Sequence, residues 1–321
     1  MNWLLIFIGG GLGSVLRFAI SKMALSSNVH FPLATFLSNI FASLLLGIMV
    51  YVSFKKPDLV IKKILRSSIS DLICKGVFPK YYFISGSGNK KTFSKNNLSK
   101  ISNSLKKEQN KYKISLCGGD TTFSNQLSFS ITSIGYSKNI VYRNKAKIND
   151  DIYVTGNLGD SFVGLKILQN KIKVTKKLKS YFIKKYFEPD IQIKLTNKLL
   201  KFANSSIDIS DGLLDDLKKM INNQKLSYEI WEDKVPISRN LQNYLKKNNY
   251  NKSNFISNGD DYQILFTASG DKFRIIKDIS KKLGVKISRI GKIRSNNQKS
   301  LFINKKGQHL LVKNHGYKHQ F

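Results

Sequence analysis

The sequence has only two cysteines, Cys74 and Cys117, far apart and not in metal-ligand spacing. That excludes a disulfide framework and a zinc site, and makes a reducing compartment the default. Four histidines, three of them within the last 13 residues, form no metal cluster either. Arginine is scarce: seven of the 54 basic residues, the rest being lysine. No stretch interleaves arginine with aromatics, as a platform for stacking single-stranded nucleic acid would. Lysine, asparagine and isoleucine are abundant throughout, as translation of A+T-rich DNA gives. The net charge of +34 is therefore read as a solvated lysine surface, with no nucleic acid as partner. Such a surface still attracts phosphate-bearing molecules at low salt.

Long apolar runs are confined to the start. Trp3 to Ile20 is broken only by small residues and Arg17, and Leu33 to Phe54 gives 22 residues without a charge. The second run is long enough to cross a bilayer as a helix. A signal peptide competes for the first, but no basic residue precedes it. The two runs are read as a helical membrane hairpin. The cluster Lys55, Lys56, Lys62, Lys63 and Arg66 then puts the following chain on the cytoplasmic side. The expected location is the inner (cytoplasmic) membrane through the hairpin, with the remainder in the cytoplasm.

After Pro57 the texture changes to a mixed α/β pattern. Asp58 to Lys75 is read as an amphipathic helix, Tyr81 to Ser85 as a strand and Asn97 to Tyr112 as a polar helix. Ile114 to Cys117 is read as a strand ending in Gly118-Gly119-Asp120, with further strands at Leu127 to Gly135 and Asp151 to Thr155. Gly156 to Gly159 turns into a helix from Asp160. Ser206 to Ile209 is a strand running into Ser210-Asp211-Gly212, before a helix from Leu213 to Asn222. Tyr262 to Phe266 and Lys286 to Ile290 complete the set. Lys171 to Lys179 is read as a solvated helix face.

Acid is scarce too, 20 residues in all, so carboxylates beside glycine turns stand out. They are Asp71, Asp120 after Gly118-Gly119, Asp208 and Asp211 in Ile207 to Gly212, and Asp260-Asp261 after Gly259. Acids at strand ends suit phosphoryl transfer, which needs Mg²⁺ on oxygen ligands and neutralised phosphate charge. Each also has a plainer explanation. Asp71 can balance nearby lysines, Asp120 can be a turn residue and Asp211 can cap the next helix. Asp215 and Asp216 suit a helix's first turn and are read as structural.

Taken in order, these segments resemble the thiamine-monophosphate kinase family. Leu116-Cys117-Gly118-Gly119-Asp120-Thr121-Thr122, Arg143 to Lys147 leading to Asp150 to Gly156, Gly159-Asp160-Ser161 and Ile207 to Gly212 carry the likeness. Gly259 to Phe266 and Gly316-Tyr317-Lys318-His319 continue it. The resemblance implies an α/β (α+β) two-domain kinase of the aminoimidazole-ribotide-synthetase-like fold. It implies direct in-line transfer from ATP to thiamine monophosphate with Mg²⁺, and a homodimer. By position, Asp71, Asp120, Asp208 and Asp211 are implied Mg²⁺ ligands, and Gly119, Asp120, Arg143 and Ser210 are implied ATP contacts. Asp120, Arg143 and Asp211 form the implied catalytic set. Asp260, where the family has glutamate, and Tyr317 are implied substrate contacts. Nothing before Pro57 resembles the family's opening segment, with its further metal ligands. The expectation is an N-terminally incomplete fold and a weakened kinase.

The front end resembles the small four-helix fluoride channels, through Gly9 to Phe18 and through Pro32 to Gly47 with Thr35, Asn39 and Ser43 on a polar stripe. Asn39 reads either as an interhelical hydrogen bond or as a pore-lining donor. Cys117 to Ser124 is superficially similar to those channels' third helix, but its flanks are too polar to span a membrane. The expected organisation is 1–54 membrane hairpin, 57–145 the rest of an ATP- and Mg²⁺-binding domain, and 146–321 a C-terminal α/β domain. A fluoride-channel fragment, or a chimera of two truncated genes, is the alternative.

Overall fold

The computed structural model describes residues 56–125, 127–312 and 316. The hairpin read over residues 1–54, and Tyr317, lie outside the described residues. Among the described residues no helix is long and apolar enough to cross a membrane.

Helix α1 (Pro57–Ile73) starts with proline in its first turn, where no backbone donor is lost, and with Asp58 at its positive end. Val60, Ile61, Ile64, Leu65, Ile69 and Ile73 recur at three- and four-residue spacing and are all buried. At about 1.5–3 kcal/mol per fully buried aliphatic side chain, that stripe dominates the helix's stability. It packs against α2 (Lys95–Tyr112) and a three-stranded sheet of order β2-β1-β3. The strands are β1 (Pro79–Gly88), β2 (Ser115–Phe123) and β3 (Ser128–Gly135). β1 pairs with β2 in parallel and with β3 antiparallel. Ser94 caps α2 by accepting from the Asn97 amide.

The second sheet has six strands in the order β5-β7-β4-β8-β6-β9. They are β4 (Asp151–Thr155), β5 (Ser205–Asp208), β6 (Leu226–Trp231), β7 (Ile264–Ala268), β8 (Ile287–Ser295) and β9 (Leu301–Ile303). Every residue of β4, β5 and β7 is buried, so these strands are covered on both faces. One core joins Ile152, Val154, Ile207, Leu265 and Ile290 to Leu213, Leu214 and Leu217 of the helix Leu213–Met220. Tyr153 and Phe266 stack within the sheet, 5.1 Å apart and nearly parallel, and the Phe202 ring packs tilted against Phe266 at 5.3 Å. A second cluster packs the helices Asp160–Leu168, Lys176–Phe187 and Arg239–Asn248 through Val163, Phe182 and Leu241.

Most expected elements form, with shifted bounds. The main difference is β2: the strand does not stop at Gly118 but runs through Gly119-Asp120-Thr121-Thr122 to Phe123. Glycine permits this, because a Cβ at Gly119 would stand 1.7 Å from the Ile84 carbonyl oxygen of β1. The expected strand end is therefore a close strand contact. Cys117 to Ser124, the segment similar to a channel helix, is β-strand over all but its last residue.

Candidate functional site

The candidate site lies where the C-terminal end of α1 meets the end of β5. Three contacts fix that junction. Ser70 Oγ donates to Asp208 Oδ2 at 2.8 Å, Ser206 Oγ donates to the Cys74 carbonyl at 2.6 Å, and Lys75 Nζ donates to the Ser206 carbonyl. The segment carrying Arg143 is pinned on both sides. The Val141 amide donates to the Lys75 carbonyl at 2.9 Å, the Ser206 amide to the Tyr142 carbonyl at 3.2 Å, and the Asn144 amide to the Met220 carbonyl at 2.8 Å.

Asp71 and Asp208 come together here, with Arg143 and Lys75 as their positive neighbours. Burial pushes the Asp208 carboxyl up to about 7, and the Asp71 charge adds to it; Ser70, Lys75 and Arg143 act against the rise. Desolvation likewise raises Asp71, opposed by Arg143 and Lys75. Burial also raises the Cys74 thiol, so that cysteine is inert at neutral pH.

The chain after β5 is a loop held from two directions. The amides of Ser210, Asp211 and Gly212 all donate to Asp216 Oδ2, at 2.9, 2.9 and 3.0 Å. Asp216 thus organises the loop from the helix that follows, as its structural reading requires. Burial raises its carboxyl to about 7 despite these bonds. Asp211 is ion-paired with Lys219, which also reaches Asp215 at 3.1 Å. On the other side, the Asp260 amide donates to the Ser210 carbonyl at 2.8 Å and the Tyr262 amide to the Ile209 carbonyl at 2.8 Å. Gly259 is required for this approach, since a Cβ there would lie 1.9 Å from the Ser210 carbonyl oxygen. Gly316 lies against the same loop: a Cβ on Gly212 would stand 3.2 Å from its Cα.

Of the implied residues, Asp71, Asp208 and Arg143 share one site; Ser210 and Asp211 lie on the adjoining loop, and Asp260 is bonded to that loop from the segment before β7. Asp120 stands apart on β2, exposed, its carboxylate accepting from the Thr121 amide at 2.7 Å. Among the described residues no group of three His, Cys, Asp or Glu side chains is spaced to hold a metal ion. Two carboxylates driven toward protonation, Asp208 by burial and the Asp71 charge and Asp71 by burial and the Asp216 charge, do fit a divalent cation. Mg²⁺ is commonly held by one or two carboxylates plus substrate phosphates.

Sequence reasoning missed the buried polar residues of α1, two of which, Lys63 and Ser70, reach the site. Lys63, Arg66 and Ser70 recur three and four residues apart, all buried. Lys63 Nζ meets Asp260 Oδ1 at 2.7 Å. Arg66 grips both oxygens of Glu108 at 2.8 and 2.9 Å. Polar residues at helical spacing within an apolar stripe were the available signal. Lys63 and Arg66, counted above among the charges marking the cytoplasmic side, are thus committed inside the fold.

Known proteins match the chain in sequence and in fold. The thiamine-monophosphate kinase of Buchnera aphidicola subsp. Schizaphis graminum is 35% identical over 258 residues, covering 78% of this chain and 77% of that protein. A crystal structure of thiamine monophosphate kinase from Aquifex aeolicus superposes with a TM-score of 0.71 at 25% identity, over 83% of this chain and 87% of that one. A structure described as AaThiL complexed with AMPPCP and TMP gives 0.72 at 26% identity, over 83% and 81%. Residues 4–164 match the family described as CrcB-like protein, Camphor Resistance (CrcB). From α1 to β4 that match runs through residues whose described structure is the α/β fold above. The chain belongs to the thiamine-monophosphate kinase family, and through residues 4–164 to the CrcB-like family as well.

Proposed function

We propose that the chain transfers a phosphoryl group from ATP to thiamine monophosphate, giving thiamine diphosphate. The observation that carries this is the Asp71–Asp208 pair beside Arg143, on the frame of a family whose relatives are named for that reaction. Asp71 and Asp208 would hold Mg²⁺; Asp211, paired with Lys219, and Asp120, apart on β2, are ligands only by the family resemblance and do not join that pair in the described structure. The ion would neutralise phosphate charge. Arg143, presented by its pinned segment, binds nucleotide phosphate, together with Gly119 and Ser210. Asp211, once released from Lys219, joins Asp120 and Arg143 as the catalytic group, and Asp260 and Tyr317 bind the acceptor. The acceptor's phosphate oxygen attacks the γ-phosphorus directly, so no phospho-enzyme forms.

Residues 1–57 contain no aspartate or glutamate, so that stretch supplies no carboxylate ligand. Turnover slower than that of the Buchnera relative by on the order of a thousandfold follows if several kcal/mol of metal stabilisation are lost. The test is incubation of the full chain, in detergent, with ATP, Mg²⁺ and thiamine monophosphate. Thiamine diphosphate is expected; none above a no-enzyme control rejects the function.

The CrcB-like match favours a second role for the front end. Residues 1–54 anchor the chain in the inner membrane, with a homodimeric kinase domain pair (57–145 and 146–321) in the cytoplasm. Fluoride efflux from vesicles loaded with fluoride and carrying the chain tests whether it also conducts; chromatography of the detergent-solubilised chain with light scattering tests the dimer.

A further inference from the structure

Helix α1 carries two buried ion pairs of different design. Arg66 and Glu108 seal each other: their side chains are 4% and 3% exposed, and both carboxylate oxygens are taken. The Lys63 side chain is 1% exposed, but its partner Asp260 is 28% exposed. The Lys63 ammonium lies over the rings of Tyr186 and Tyr262, 4.4 and 4.7 Å from their centroids. It engages only Oδ1, which also accepts from Tyr262 Oη at 3.3 Å. Asp260 Oδ2 takes no hydrogen bond among the described residues. The Asp260 backbone is equally constrained, at φ +70° with its amide bonded to Ser210.

A buried ammonium is costly unless paired, so Lys63 fixes the carboxylate beside it. A pair serving stability alone gains nothing by leaving the Asp260 side chain 28% exposed where its backbone is bonded to the Ser210 carbonyl. We propose that Lys63 is a positioning residue for the acceptor substrate: it and Tyr262 hold Oδ1 of Asp260 so that Oδ2 faces the cationic thiamine part of thiamine monophosphate. The inference rests on the proposed function and assigns Lys63 a part in it.

The test is titration calorimetry of thiamine monophosphate against the full chain, with steady-state kinetics and melting temperatures alongside. Lys63→Met should weaken Kd and raise KM about tenfold while kcat stays within about twofold, the signature of lost ground-state binding. Lys63→Gln, which keeps a donor but no charge, should fall about threefold below the wild type. Because Lys63 acts through Asp260, adding Lys63→Met to Asp260→Asn should cost no further affinity. Wild-type affinity in Lys63→Met, whatever its melting temperature, overturns the inference alone. Should Lys63→Met not fold, Lys63→Gln decides on the same terms. A wild-type chain that binds no thiamine monophosphate overturns the proposed function, and this inference with it.

Discussion

Ser70 Oγ donates to Asp208 Oδ2 at 2.8 Å, joining the polar side of α1 to the end of β5 at the point where Asp71 and Asp208 meet. One hydroxyl thus connects the helix that packs on the first sheet to the strand that opens the site in the second. Ser70→Ala should cost about 1–3 kcal/mol, because a buried carboxyl oxygen loses its donor. Urea denaturation measures it; a change within error would show that the bond does not hold the junction.

The pH dependence of stability follows from the raised carboxyls. Asp208 and Asp216 sit at about 7 when folded, against an ordinary 3.8. Between those values the folded chain holds protons that the unfolded chain has released, so stability is greatest at the acid end and falls as pH rises toward 7. In chelator, Asp208→Asn should make that fall shallower than in the wild type, leaving the shares of Asp216 and of the other carboxyls that burial raises, Asp71, Asp160 and Asp261. Parallel urea midpoints for both proteins from pH 4.5 to 7.5 would contradict the assignment.

Mg²⁺ should act in the opposite sense. At pH 7.5 it should raise the wild-type melting temperature by mass action on the folded state, and Asp208→Asn should abolish most of the increase. An equal increase in both proteins would place the ion elsewhere.

Arg66 and Glu108 give a test of the fold apart from the site. Arg66→Met leaves Glu108 buried without its partner and should cost about 3–5 kcal/mol, whereas Arg66→Met with Glu108→Leu should recover most of that. Equal losses in the single and double variants, read from denaturant midpoints, would refute the coupling.

What could be read in advance depended on whether a residue's role was local. Helix α1 was legible from its apolar spacing and Pro57, and β4 from its unbroken Ile152-Tyr153-Val154 run. The strand was read as ending in Gly118-Gly119-Asp120, short of its end at Phe123, because the sequence cannot show that Gly119 is needed for the approach of Ile84 in a neighbouring strand. Asp71, Asp208 and Asp211 were visible as acids in a basic chain. Lys63 was not, since nothing near position 63 announces a partner nearly two hundred residues away at Asp260. Asp216 was read as structural from its place in a helix's first turn. Its three amide contacts depend on the backbone of the loop before it and so appear only in the fold.

The most direct test of the account is the Mg²⁺-dependent formation of thiamine diphosphate from ATP and thiamine monophosphate, comparing the wild-type chain with Asp208→Asn. The account predicts product from the wild type only with Mg²⁺, and a loss of at least about a hundredfold in the variant. Product from Asp208→Asn at the wild-type rate, or none from the wild type, would contradict it.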